Sequence, residues 1–232
     1  MPYSSQRGSG RSWPPRLRQP ASPRLPATFR IAKLPDDDLK DDGIYLSLEY
    51  EGIELAGRDV ATVEIDQCWY KNVSLAQSEL DRVMISDTVF ERCDLANLRA
   101  RDCSLVRTTL VNSRMTGLSW TEGGVRETTL QDCRIDMAAF RFSKFKGVVF
   151  TDCKLTQADF QEADLRGARF ENCDLTGAQF SKAQMEGTRF SGCILDGING
   201  VTSLKGAIIK HRDSLGLVYS LAGALGIKIE DD

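Results

Sequence analysis

The sequence predicts an all-β solenoid, and two regularities of the chain carry that prediction. Every fifth residue from Leu55 to Leu195 is apolar, a run of 29 positions without a break. The residue two places before each of them is mostly small: Ala, Cys, Ser, Thr or Val. An α-helix cannot use this period, because a five-residue step rotates the chain by about 140°. A flat strand cannot use it either, because an odd step changes face. A turn in every repeat keeps both residues inward, so we expect very short strands separated by turns.

Composition places the chain among ordinary soluble proteins. Of its 232 residues, 41% are hydrophobic and 27% are charged, and the 30 basic and 33 acidic residues leave a net charge of -3. No apolar run is long enough for a transmembrane helix, and no signal-peptide core follows the first residues. A single histidine, His211, leaves little room for histidine chemistry. We therefore expect a cytoplasmic protein that makes no membrane contact.

The N-terminal region differs from the rest of the chain. Residues 1–34 are rich in Pro, Ser and Arg and contain no acid, which predicts a disordered basic tail. Its role stays open between an arm that contacts nucleic acid or an acidic surface, a spacer and a misassigned translation start. Residues 35–52 are acidic and are interpreted as a hinge and N-terminal cap. The repeats are expected to occupy 53–200, and residues 201–232 a C-terminal cap.

Three repeats carry a resemblance to a known family. Cys-Asp-Leu-Thr-Gly at 173–177, Ala-Asp-Leu-Arg-Gly at 163–167 and Ala-Asp-Phe-Gln-Glu at 158–162 are similar to the motif of bacterial pentapeptide-repeat proteins. The resemblance implies a right-handed quadrilateral β-helix with four repeats per coil. The 29 repeats would then form about seven coils, a rod roughly 35 Å long at ~4.8 Å per coil. Arg58 and Gly123 occupy the small position and depart from the motif.

Five cysteines share one column of such a coil, because they are separated by multiples of 20 residues. A metal stack, a redox pair and disulfides are the functional alternatives to packing. Disulfides need converging Cβ atoms and zinc needs tetrahedral convergence, which stacked parallel side chains do not offer. We therefore predict a structural core ladder of reduced thiols and no metal: Cys93, Cys133, Cys153, Cys173 and Cys193.

The C-terminal residues predict one helix over about 213–226. Asp213 and Ser214 offer an N-cap, apolar residues follow at helical spacing, and Gly226 ends the pattern. A solenoid needs its last coil covered, which favours a capping role. Dimerisation is the alternative, so either a monomer or a homodimer through this helix is expected.

Function must come from outward residues, because inward residues only pack. No catalytic constellation and no cofactor motif is present, so we expect a non-enzymatic scaffold for an unknown protein partner. An enzyme with a site at the C-terminal cap is an unfavoured alternative. The resemblance also implies a second alternative, a DNA mimic that binds DNA gyrase and protects against quinolones. The outward columns mix acids and bases, which disfavours it. One outward column holds no acid and is the candidate interaction face: Trp69, Val89, Thr109, Thr129, Val149, Arg169 and Arg189.

Overall fold

Four five-residue units complete one coil, so each residue pairs with the residue 20 positions later. In the computed structural model, which describes residues 18–230, all ladders between successive coils are parallel and the repeats keep this offset. Glu49 pairs with Trp69, Trp69 with Val89, and Val89 with Thr109. The predicted four-sided solenoid is therefore confirmed.

The described residues contain 18 strands and one α-helix, numbered here along the chain. They are β1 (Arg30–Ile31), β2 (Ile44–Leu46), β3 (Leu48–Glu51), β4 (Asp59–Ala61), β5 (Glu64–Asp66), β6 (Trp69–Lys71), β7 (Glu79–Asp81), β8 (Met84–Ser86), β9 (Val89–Glu91), β10 (Arg99–Arg101), β11 (Ser104–Val106), β12 (Thr109–Val111), β13 (Ser119–Thr121), β14 (Gly124–Gln131), β15 (Lys144–Thr151), β16 (Arg169–Glu171), β17 (Arg189–Ser191), β18 (Ile208–Ile209) and α1 (Val218–Ala224).

These elements form four faces around a common axis. The first face stacks β2, β5, β8 and β11, and the second stacks β3, β6, β9, β12, β16, β17 and β18. The longer strands β14 and β15 run continuously across both. The third face consists of isolated bridges such as Ser74 with Asp94, and the fourth stacks β4, β7, β10 and β13. Each face therefore exposes outward columns of residues spaced by 20.

The core consists of the inward large and small residues of every repeat. Phenylalanines stack along two faces, with ring centroids 5.1 Å apart for Phe140 and Phe160 and 4.9 Å apart for Phe150 and Phe170. Across the axis, Phe150 meets Phe160 edge to face at 6.3 Å. Each such aromatic pair contributes about 0.5–1.5 kcal/mol beyond its buried area, so the C-terminal half of the core is tightly specified.

The solenoid is longer than the expected seven coils and has about nine turns. Tyr45 and Tyr50 continue the five-residue period before Leu55, and the rings of Tyr50 and Tyr70 stack at 4.6 Å. The coils therefore begin at β2 rather than at residue 53. At the other end, β18 pairs with β17 at an offset of 19, since Arg189 faces Ile208. The coil before β18 is one residue short, so this last rung does not follow the strict five-residue period.

Residues 32–43 close the N-terminal end as a folded cap. Leu39 is buried against the first coils, and the Tyr50 hydroxyl donates to the Asp37 carbonyl at 2.9 Å. Arg30 donates two hydrogen bonds to the buried Asp37 carboxylate, at 2.8 and 2.5 Å. The Arg30 guanidinium holds the pKa of this carboxyl below its ordinary value. Asp37 therefore anchors an end cap through buried contacts, while Asp36, Asp41 and Asp42 stay exposed.

The two departures from the repeat motif have physical explanations. Arg58 turns away from the core, and its guanidinium Nε donates to Asp38 in the N-terminal cap at 2.8 Å. Gly123 is buried beside Trp120, and a Cβ there would lie 2.5 Å from both the Trp120 Nε1 atom and the Cys103 carbonyl oxygen. The large indole takes the volume that a small side chain fills in other repeats, so glycine is required.

The C-terminal residues form shorter helices than the predicted 213–226. Three 3-10 helices, over Val201–Leu204, His211–Asp213 and Leu215–Leu217, precede α1. No side chain caps α1, and none of its residues is buried. The Asp213 carboxylate instead accepts from the Gly192 N–H at 2.6 Å, and Leu217 is buried. The 3-10 helices therefore supply the buried residues that cover the last coil, whereas α1 packs beside the first of them and stays exposed or half-buried.

Candidate interaction surface

The candidate interaction face lies on the second face of the solenoid, at the outward residue that begins each of its rungs. The structure stacks the seven residues in one line, which we call the strand-face column: Trp69, Val89, Thr109, Thr129, Val149, Arg169 and Arg189. None of them is fully exposed, and Val149 and Arg169 are only 4% and 5% exposed. Another part of the molecule therefore shields this outward column.

The shield is the chain's own N-terminal segment. Residues 18–29, which we call the strap, run along the second face in the direction opposite to the growth of the coils. The strap begins near Arg169 and ends near Trp69, where β1 adds to β3 as an extra parallel strand. Disorder was expected for 1–34, but residues 18–34 have this defined path, and residues 1–17 lie outside the described part of the chain.

Two carboxylates hold the middle of the strap through its backbone. The Ala21 N–H donates to Glu127 Oε2 at 2.8 Å, and the Arg24 N–H donates to Asp87 Oδ1 at 2.9 Å. Hydrogen bonds to ionised acceptors are stronger than neutral ones, so these are the main polar anchors. Arg107 donates to the same Asp87 carboxylate at 2.7 Å and, as the largest cause, holds its pKa below the ordinary value. Asp87 therefore stays charged at neutral pH.

Side chains anchor the two ends of the strap. The Arg169 guanidinium donates to Gln19 Oε1 at 2.6 Å, and the Phe29 ring meets Trp69 edge to face at 5.9 Å. Between these contacts the strap residues stay exposed or half-buried. The strap is thus held at a few points and has no continuous apolar interface.

The offset of 20 residues predicts that the seven positions line up, but no sequence pattern indicates the two carboxylates that anchor the strap. Asp87 and Glu127 stand two coils apart in a neighbouring column, at the corner between the first and second faces. No spacing links the strap to them, because the strap has no period of its own. A weak signal was present, since an acid-free basic segment precedes a solenoid that bears isolated acids.

The cysteine ladder lies entirely inside the solenoid. All seven cysteines are buried free thiols. The Cys153 thiol donates to the Leu130 carbonyl at 3.4 Å and the Cys173 thiol to the Phe150 carbonyl at 3.5 Å. Burial raises the pKa of Cys93 in the ladder, and of Cys103 outside it, to about 11. Thiols of this kind are protonated and poorly nucleophilic at neutral pH.

Ion pairs between adjacent coils neutralise many outward acids. In each of these pairs the basic residue lies 20 positions after the acid: Glu79–Arg99, Asp81–Arg101, Asp87–Arg107, Asp94–Arg114 and Glu162–Lys182. Exposed pairs of this type contribute little stability, about 0–1 kcal/mol each. Their main consequence is electrostatic, because they break up any continuous negative stripe.

Neither a metal site nor a membrane-spanning helix is found in the described part of the chain. Within residues 18–230, no group of three or more His, Cys, Asp or Glu side chains is arranged to hold a metal ion. Over the same residues, no helix has the length and apolar character needed to cross a membrane.

Comparisons with known proteins point to one family. The family described as "Pentapeptide repeat region" matches residues 63–140 and 131–199. A comparison with curated proteins found no match. Among solved structures, HetL, a pentapeptide repeat protein involved in heterocyst differentiation regulation from the cyanobacterium Nostoc sp. strain PCC 7120, is 16% identical with a TM-score of 0.32, over 73% of this chain and 90% of HetL. A trypsin-treated form of QnrB1, a plasmid-mediated fluoroquinolone resistance protein, is 16% identical with a TM-score of 0.35, over 88% of this chain and 100% of QnrB1.

Proposed function

Because the chain belongs to the pentapeptide-repeat family and is a right-handed quadrilateral β-helix, we propose that it is a non-enzymatic scaffold that binds a partner protein through the strand-face column. The observation that carries the proposal is the column itself, seven aligned positions without an acid. Successive residues of the column are one coil apart, so a partner that displaces or flanks the strap would meet a straight, rigid surface. The thiols and the stacked phenylalanine rings lie in the interior, so recognition depends on the outward side chains.

The test is a comparison of variants in affinity capture from the native host. Thr109→Glu and Thr129→Glu place carboxylates in the column, and Thr121→Glu places one on the fourth face as a matched control. We expect wild type and Thr121→Glu to retain the same specific protein and the two column variants to lose it. Equal capture by all four proteins would contradict the assignment of the column.

Two other functions make different predictions. A DNA mimic needs a continuous acidic stripe, and the pairs between coils place a basic residue over many of the acids. We therefore expect no inhibition of gyrase supercoiling at low micromolar protein. An enzyme at the C-terminal cap would depend on the exposed His211, and hydrolase activity that His211→Ala abolishes would overturn the scaffold proposal.

Self-association through the C-terminal helix is part of the proposal. Large apolar side chains stand exposed on and around α1: Leu215, Tyr219, Leu221, Leu225, Ile227 and Ile229. An apolar patch of this kind at a chain end is typical of a protein contact. Leu225→Glu should therefore convert a dimer to a monomer in size-exclusion chromatography with light scattering, without a change in circular dichroism. A wild-type protein that is monomeric at all concentrations would refute this contact.

A further inference from the structure

The strap occupies the second face as a ligand would occupy a site. Its two central anchors use backbone N–H groups, of Ala21 and Arg24, and these groups are common to nearly every residue type. On the solenoid, the acceptor in each contact is a carboxylate, that of Glu127 or Asp87. The surface therefore recognises an extended backbone more than it recognises a particular set of side chains.

The spacing of the two carboxylates matches an extended chain. Glu127 and Asp87 are two coils apart, which is about 9.6 Å at the spacing of adjacent strands. Ala21 and Arg24 are three residues apart, which is about 10 Å in extended conformation. In a polyproline II chain, which has three residues per turn, N–H groups three residues apart point to the same side, so a segment in that conformation would meet both acceptors.

The charges on the two sides are complementary. The strap carries Arg18 and Arg24 and no acid, and Arg18 lies 3.7 Å from Glu127 with most of its side chain in solvent. Glycine at 147 leaves room for the Glu127 carboxylate, because a Cβ at that position would lie 2.9 Å from Glu127 Oε1. The groove beside the strand-face column therefore suits a basic segment.

We propose that this groove is a binding site for an extended basic peptide segment of a partner protein, and that the strap is its tethered occupant. The inference rests on the proposed interaction function and adds the chemistry of the partner. A tethered segment has a high effective concentration, so the strap lowers the apparent affinity for an external peptide. The few contacts of the strap allow it to be displaced. The groove is thus autoinhibited until a better segment replaces residues 18–29.

The test releases the strap without altering the groove. Proline has no N–H, so Ala21→Pro with Arg24→Pro in the full chain removes both donors while keeping extended backbone. Ser22→Pro is the matched control, because the Ser22 N–H makes none of the described hydrogen bonds. The probe is a fluorescein-labelled synthetic peptide with the sequence of residues 18–29, followed by fluorescence anisotropy.

The released variant should bind the peptide at least about tenfold more tightly than wild type, whereas Ser22→Pro should behave as wild type. Adding Glu127→Gln and Asp87→Asn to the released variant should weaken peptide binding by about tenfold or more. The inference is overturned if the released variant binds no peptide, if the carboxamide substitutions change nothing, or if Ser22→Pro has the same effect.

A released variant that forms a dimer by strap exchange would make a second copy the occupant and would also overturn the inference. Light scattering at each protein concentration detects this outcome. Any of these failures would leave the scaffold proposal standing, because a folded partner could still use the column in the capture experiment.

Discussion

Gly123→Ala should destabilise the protein through a collision in the core. The added Cβ would lie 2.5 Å from the Cys103 carbonyl oxygen and 2.5 Å from Trp120 Nε1. The backbone conformation of Gly123 is one that alanine can adopt, because its φ is not positive. The effect of the substitution is therefore steric and is separable from backbone strain.

The neighbourhood of Gly123 has little freedom to relax. The Cys103 carbonyl oxygen that the Cβ would approach also accepts the hydrogen bond from the Gly124 N–H, at 2.9 Å. Moving that carbonyl group would lengthen this hydrogen bond, which joins two adjacent coils. Overpacking of a tight core destabilises a protein by about 1–3 kcal/mol. Replacing glycine by alanine stabilises it by about 0.4–1 kcal/mol, because the unfolded chain has less conformational entropy to lose. We expect a net loss of about 1–2 kcal/mol.

Gly124→Ala is the matched control for this experiment. The two glycines are adjacent, neither has a positive φ, and a Cβ at Gly124 would meet no atom within 4 Å. The control should therefore equal or slightly exceed the stability of wild type. Urea unfolding followed by circular dichroism measures both variants, and the midpoints are comparable if the m-value is unchanged. Equal midpoints for the two variants would refute the steric explanation.

Three further expectations follow from the core, the cap and the strap. Thiol reagents should label native protein slowly and label it fully only after unfolding, and Cys153→Ala should cost about 1 kcal/mol because little volume is lost; fast native labelling would contradict the inward ladder. The depressed pKa of Asp37 means that its ion pair stabilises the fold above the ordinary value of 3.8 and is lost as pH falls toward the folded-state value. Arg30→Gln should therefore lower the urea midpoint at pH 7 and have little effect in strong acid. Phe29→Ala should shift the fluorescence of Trp69 without changing the far-ultraviolet circular dichroism, and an unchanged spectrum would place the strap elsewhere.

The period of the sequence predicted the coil because each repeat satisfies its own packing requirement. The small and large positions determine which residues face inward, and the offset of 20 follows from four identical sides. Tyr45 and Tyr50 obey the same period, so the first coil was also readable from the sequence. The strict period ends before β18, where one missing residue shifts the offset to 19.

The surface was less predictable because its contacts are few and distant in sequence. The strap meets Asp87 across 63 residues and Glu127 across 106. Each contact uses a backbone N–H group, which leaves no pattern in side-chain type. A Pro-rich basic segment also has the composition of disorder. Only the three-dimensional positions of the two carboxylates, Arg169 and Trp69 distinguish a docked strap from a free tail.

The strap sets a limit on how far the solenoid can grow. From Trp69 to Arg169 there are five coils, a distance of about 24 Å. The ten residues from Gln19 to Phe29 reach at most about 33–36 Å. Inserting 20 residues would add one coil and leave every column in place, but two such insertions would bring the span to about 34 Å and exhaust the slack. An insertion of five residues would instead turn all later columns to the next face and move Glu127 off the path of the strap. Insertions into this rod are therefore tolerated only when they add whole coils of 20 residues, and only a small number of such coils can be added.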